Sequence, residues 1–225
     1  MSALLFAVSI ATAQTTVVVS PAPSEQLSIA MTPFGFDEKI IVGSVDNTGE
    51  ALVNREIEFG KIPDSVKEDY WVTIGELLSF CDNFQELFAD ENEIEALELG
   101  PLFLFKKDEL SGFITLVSDS TLYKWVKDPE YETAVPGSYF EAVYVSKEFA
   151  YQGGCDQTMN YESGDLKTHF DININLDAGL NFIEYKIESV YEKTSPDEVS
   201  TPRKLTVLSH SDFPANALWM AFYYY

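Results

Sequence analysis

The chain is poor in the residues that most often carry chemistry. Its 225 residues include two histidines, two cysteines and only 14 lysines and arginines. Against those bases stand 37 acids, a formal charge of −23. The excess is general: residues 1–112 hold 20 acids and 6 bases, residues 113–225 hold 17 and 8. Such a surface repels nucleic acid and anionic lipid, which sets both aside as partners. Motifs are missing too. There is no G-x-S-x-G elbow, no H-E-x-x-H and no Walker loop. Gly153-Gly154 lacks the third glycine and the following helix that a dinucleotide site needs. No repeat period appears.

Long apolar runs are also lacking. The longest candidate, Ala3–Ile10, is too short to span a bilayer as a helix. Ala11-Thr12-Ala13 follows it, and a short apolar core ending in A-x-A reads as a secretory signal peptide, although no Lys or Arg precedes it. The sequence therefore predicts export to the periplasm or beyond, with cleavage after Ala13 and no integral membrane span. In an exported chain an even cysteine count favours a bridge, so Cys81 and Cys155 are expected to pair.

What the chain has in quantity is alternation and aromatic residues, which make up 14% of it. From Phe170 the apolar side chains Phe170, Ile172, Ile174 and Leu176 alternate with Asp171, Asn173, Asn175 and Asp177. That period of two belongs to a strand with one dry face and one wet face. Asp177-Ala178-Gly179 offers a turn, and Leu180–Tyr191 returns, which reads as a long antiparallel hairpin. Alternation slips near Ile183–Tyr185, where a bulge or a change of buried face is expected.

Further strands are expected at Lys39–Val45, Leu52–Phe59, Leu102–Phe105, Phe113–Val117, Leu122–Val126, Ser138–Tyr151, Lys204–Leu208 and Leu218–Tyr225. One helical pattern stands out. Ile74, Leu77, Leu78, Cys81, Phe84, Leu87 and Phe88 recur at spacings of three and four, with Asp64 or Thr73 as its cap and a break near Asp82-Asn83. The expected fold is mainly β, an antiparallel β-sandwich with a short helical insertion. Its parts are a signal peptide (1–13), a linker (14–36) holding a short strand at Thr15–Val19, a small N-terminal β unit (37–62), a helical insertion with an acidic segment (63–98) and the main sandwich (99–225).

Leu176-Asp177-Ala178-Gly179-Leu180-Asn181-Phe182 resembles the Leu-x-x-Gly-Trp-Asn turn of uncharacterised exported β-sandwich proteins of Bacteroidetes and Deinococcus, with Leu180 at the Trp position. Gly154-Cys155 and Leu77–Cys81 add to the likeness. The resemblance implies export and a β-sandwich, and no reaction.

Chemistry is harder to place. His169 reads as a structural residue of the hairpin strand. Ser209-His210-Ser211-Asp212 is too local to be a triad, whose groups converge from different elements. Asp171, Asn173, Asn175 and Asp177 suggest calcium, but Leu176 and Phe182 fill the EF-hand positions of Gly and Glu. Alternate strand side chains also lie ~7 Å apart, too far for one ion to hold all four. No catalytic, metal or cofactor residue is assigned. The expected function is a non-catalytic exported envelope protein with a binding or assembly role and an unidentified envelope or extracellular partner. The alternatives are a secreted hydrolase acting through unidentified carboxylates, and a carrier of a small apolar ligand among the Tyr and Phe of Tyr139–Tyr151 and Leu218–Tyr225.

Overall fold

A computed structural model describes residues 14–32, 39–54, 70–83, 87–88, 94–129, 132–161, 164–191 and 200–224. The expected leader (1–13), the end of the Leu52–Phe59 strand, Asp64, Phe84 and the acidic run at 89–93 lie outside them. The described residues are mainly β, 62% strand and 8% helix.

In chain order the first half supplies β1 (Gln14–Ser20), β2 (Leu27–Met31), β3 (Ile40–Val45), β4 (Glu50–Asn54), β5 (Val72–Thr73), α1 (Ile74–Leu77), β6 (Glu95–Gly100), β7 (Leu102–Lys106) and β8 (Glu109–Val117). The second supplies α2 (Ser120–Lys127), β9 (Gly137–Val145), β10 (Phe149–Tyr161), β11 (Gly164–Leu176), β12 (Gly179–Val190), β13 (Pro202–His210) and β14 (Leu218–Tyr223).

The expected sandwich is not the clearest description of how these strands pair. Seven of them close into a ring, β8–β14–β1–β4–β3–β2–β7 and back to β8. Alternating inward side chains suit a barrel as well as a sandwich, so the pattern alone did not separate them. Residues 14–36, expected to be a linker, carry two ring strands, β1 and β2. β3 and β4 are no separate unit either, because β1 ties β4 to β14 at the other end of the chain. At the tightest pairing Gly112 faces β14. A Cβ there would stand 2.0 Å from the Phe222 carbonyl oxygen, inside any contact a side chain tolerates.

β9 leaves the ring beside β8 and starts a second sheet, ordered β5–β6–β9–β12–β13–β11–β10. β9 is the wall between two cores. Ala142 and Tyr144 face the ring's core with Leu104, Ile114 and Trp219; Val143 and Val145 face the second core with Ile172, Ile174 and Val207. Side chains on opposite faces of one strand alternate, so a strand with core on both sides reads as continuously apolar. The same holds at the start of β12, where Phe182 lies in the first core and Ile183 in the second. The slip in alternation near Ile183 is thus a change of buried face, while the register irregularity falls later, between Ile187 and Val190.

The hairpin expected from β11 and β12 does not form. β13 lies between them, parallel to β11 and antiparallel to β12. The face assignment holds, however. Phe170, Ile172, Ile174 and Leu176 are buried, and Asn173 and Asn175 are exposed. The connection crosses the end of β13, and one side chain shapes it. Asn181 is fully buried; its side-chain oxygen accepts from the Asp177 N–H at 3.0 Å, and its amide donates to the carbonyls of Asp177 (2.7 Å) and Gly179 (3.0 Å). Gly179 has φ +112°, a conformation that side chains rarely adopt.

Two further expectations change. Leu122–Val126 is helix, not strand: the Asp119 carboxylate caps α2 by accepting from the Thr121 N–H at 2.7 Å, and Leu122 and Val126 share its packed face. Ser138–Tyr151 is two strands split at Ser146–Glu148, and Gly153-Gly154 lies inside β10, which pairs with β11 over thirteen residue pairs. The helical pattern at Ile74 begins as expected. Thr73 caps α1 in a reciprocal capping box with Glu76, at 3.2 and 2.8 Å.

Candidate functional site

The edge of β9 away from β12 changes partner halfway along. Its first part pairs with β8 (Tyr139 opposite Val117, Phe140 opposite Leu116), and its second part pairs with β6 (Ala142 opposite Gly100, Val143 opposite Glu98). Glu141 stands at the fork, where β8 has left and β6 has not arrived. A cleft of about 240 Å³ opens there. It is lined by Glu98, Gly100 and Pro101, by Phe113 and Thr115 of β8, by Val126 and Lys127 of α2, and by Tyr139, Phe140 and Glu141 of β9.

An acid at this position is costly. Tyr139, Glu141, Val143 and Val145 share the face of β9 that looks into the second core. Burial raises the Glu141 carboxyl to about 7, the nearby Glu98 carboxylate pushes the same way, and a hydrogen bond from the Tyr185 hydroxyl opposes both. Glu98 faces Val143 across the strands, so Glu98 and Glu141 are diagonal neighbours on one sheet face. Tyr185 stacks on Tyr139 with centroids 4.9 Å apart, and Trp125 of α2 meets Tyr139 edge-on at 6.3 Å. Burial raises both tyrosine hydroxyls, so they remain neutral donors. Lys127 is held at the rim, its ammonium 3.9 Å from the centroid of the Phe222 ring. A second, larger hollow of about 600 Å³ shares Glu98, Gly100 and Pro101 with the cleft and extends toward Val72, Leu77 and Phe103.

The chain matches no family model, no curated protein and no solved structure.

The residues singled out from the sequence lie elsewhere. Cys81 and Cys155 are bonded, with Cα atoms 5.7 Å apart, and the bridge ties the segment after α1 to β10. His169 sits on the wet face. Its ring nitrogens contact Asp156 at 2.8 Å and Asp171 at 3.2 Å, Lys204 pairs with Asp171 at 2.6 Å, and these acids hold the imidazole above its ordinary range. Asp171 is thereby engaged with cations of the chain itself. His210 contacts Glu184 at 2.6 Å, and the other oxygen of Glu184 accepts from the Ser138 hydroxyl at 2.5 Å. The order is hydroxyl, carboxylate, imidazole. A nucleophilic triad needs the imidazole in the middle to take the hydroxyl proton, so this group is a structural tie among β9, β12 and β13.

Sequence reasoning missed Glu141. The signal was present: in Tyr139-Phe140-Glu141-Ala142-Val143 an acid takes an inward position of an apolar strand. With 37 acids in the chain, only the strand's two-sided burial makes this one exceptional.

Proposed function

We propose that the protein is an exported, non-catalytic binding protein whose ligand sits in the cleft at the fork of β9. One observation carries the reading: a half-buried carboxyl on the core-facing side of a strand, raised toward neutrality, lines an opening with aromatic residues in its wall, beside a second carboxylate. Perturbed ionisation inside a cleft is a mark of functional sites. The volume is below the ~300–1,000 Å³ of drug-sized pockets, which suits a small molecule. Export is supported by the Cys81–Cys155 bridge, a bond typical of oxidising compartments, and by the leader-like residues Ala3–Ala13. No helix among the described residues is long and apolar enough to cross a membrane. The likeness of the Leu176–Phe182 turn to exported envelope proteins points the same way.

A hydrolase remains the second reading because of one feature. A carboxyl raised toward neutrality beside another carboxylate is the pairing of a general acid with a base. The apolar-carrier reading has less support, since two carboxylates border the cleft.

The test is ligand-observed NMR with a set of small cationic, neutral and anionic aromatic compounds, on the disulfide-bonded protein and on Thr115→Trp, which fills the cleft. Binding that Thr115→Trp removes is the expected result. Binding unaffected by that change, or none from any class, overturns the reading. Hydrolysis of p-nitrophenyl glycosides that is lost in both Glu141→Gln and Glu98→Gln would replace binding with catalysis.

A further inference from the structure

We propose that the ligand of this cleft is a small organic cation, an ammonium carried on an apolar or aromatic body, paired with Glu141 and Glu98 while its body lies against the Tyr139 and Phe113 rings. The inference rests on the binding reading above and adds the chemical class.

Charge argues first. Glu98 and Glu141 lie diagonally on one face and bring two carboxyls to one opening. Among the described residues, the groups that face Glu141 supply no compensating cation from the core side. β6 contributes Glu98, β12 contributes the Tyr185 hydroxyl, β9 itself contributes Tyr139, and β8 contributes Thr115 and Phe113, which do not titrate. α2 contributes Lys127, but its ammonium lies over the Phe222 ring at the rim. A ligand ammonium would fill the missing role, and aromatic rings at the wall favour a cation over a neutral group. The chain's −23 charge raises the local concentration of cations and lowers that of anions.

Donor chemistry argues against a bare metal ion. A hard cation such as calcium takes six to eight oxygens. Two carboxylates among Phe113, Val126, Tyr139 and Pro101 do not make such a shell, whereas they suit a cation that brings its own hydrocarbon.

Proton linkage follows from the geometry. Burial and the Glu98 carboxylate push Glu141 up to about 7. An ammonium beside it favours the ionised form, so binding releases a proton and strengthens as pH rises. From the ionised fraction alone, affinity should rise by up to roughly thirty-fold between pH 5.5 and 8.

Benzylamine, benzyl alcohol and benzoate share one shape and differ in charge. Titration calorimetry on the wild-type protein at pH 8 should find benzylamine at least ten-fold tighter than benzyl alcohol, and benzoate weakest. Heats measured in buffers of different ionisation enthalpy should report proton release. Glu141→Gln should bring the amine preference below three-fold while benzyl alcohol binding persists, with Glu98→Gln as an independent check. Near-UV circular dichroism verifies that both variants are folded. Equal binding of amine and alcohol, or a preference that survives both variants, overturns the cation assignment and leaves the binding reading standing. Binding of none of the three removes both.

Discussion

The two cores on either side of β9 exclude water by different means. The ring needs no helix. Its seven strands satisfy one another, leaving no edge within the circle, and side chains such as Ile29, Met31, Val53 and Leu104 fill the interior. The second sheet is open, with β10 and β5 at its ends. It is closed over by α1, the segment after it and α2, and one covalent bond holds that cover down. An open edge invites foreign strands, and part of β10 is capped locally. The Asp82 N–H donates to the Asp156 carbonyl at 2.9 Å, and the Asp82 carboxylate accepts from the Thr158 N–H at 3.0 Å. These contacts stand next to Cys81 and Cys155. The comparison teaches where a site can arise. A ring and an open sheet cannot both keep the same edge of β9, and the interval between them is where a carboxyl has room to face inward.

The largest expected effect comes from the staple. Cys81→Ser with Cys155→Ser should destabilise the second core and leave the ring comparatively intact. The bridge spans 74 residues, and for such a span the chain-entropy argument gives about 4 kcal/mol, with native strain reducing it. Hydrogen exchange should show β10 and β11 losing protection before β3 and β4. Uniform loss would mean that the two cores unfold as one.

Ile174→Ala should cost roughly 2–5 kcal/mol, as for a fully buried aliphatic side chain, while Asn173→Ala on the wet face should cost about 0.5 kcal/mol or less. Urea denaturation of both variants checks the pair; a costlier Asn173 would reverse the faces of β11.

Asn181→Ala should cost about 1–3 kcal/mol, because it removes a buried side chain that satisfies the Asp177 N–H and two carbonyls of the turn. Equilibrium unfolding that finds Asn181→Ala neutral would mean that water replaces the amide there.

Glu141→Gln should act in the opposite direction and only at higher pH. The folded carboxyl holds its proton up to about 7, against an ordinary 4.5. Between those values the folded state binds a proton that the unfolded chain has released, so stability falls as pH rises through the window. The variant should therefore exceed wild type at pH 8 by up to about 3 kcal/mol and match it near pH 4.5. Denaturation at the two pH values tests this, and a pH-independent difference would remove Glu141 from the linkage.

Much of the local structure was legible. The dry face of β11, the Thr73 cap and the cysteine pair follow from neighbours in sequence or from cysteine arithmetic. What failed was non-local. Consecutive strands usually lie side by side, and nothing in Phe170–Tyr191 announces that β13 will enter between β11 and β12. Closure of the ring is equally silent, since the inward alternation of β1 and β14 is the same whether they meet or not. Other misses were local and avoidable. Asp119 before Ser120-Thr121 was a helix cap, and the polar Ser146-Lys147-Glu148 was a break. Glu141 belongs to a third kind: its identity is plain, but its partial burial depends on β9 having core on both faces.

The meeting of β1 with β14 also fixes an order of events. Val19 and Trp219 pair across two hundred residues, and the Tyr223 hydroxyl reaches the Pro21 carbonyl at 2.8 Å. β1 can pair with β4 early, but its other edge stays open until β14 has been made. The entropy of closing that circuit falls due before the β1–β14 hydrogen bonds can form. The ring thus closes last even though most of its pairings lie within residues 14–117, and until then the open edges of β1 and β14 are places where a second copy of the chain can supply the missing strand.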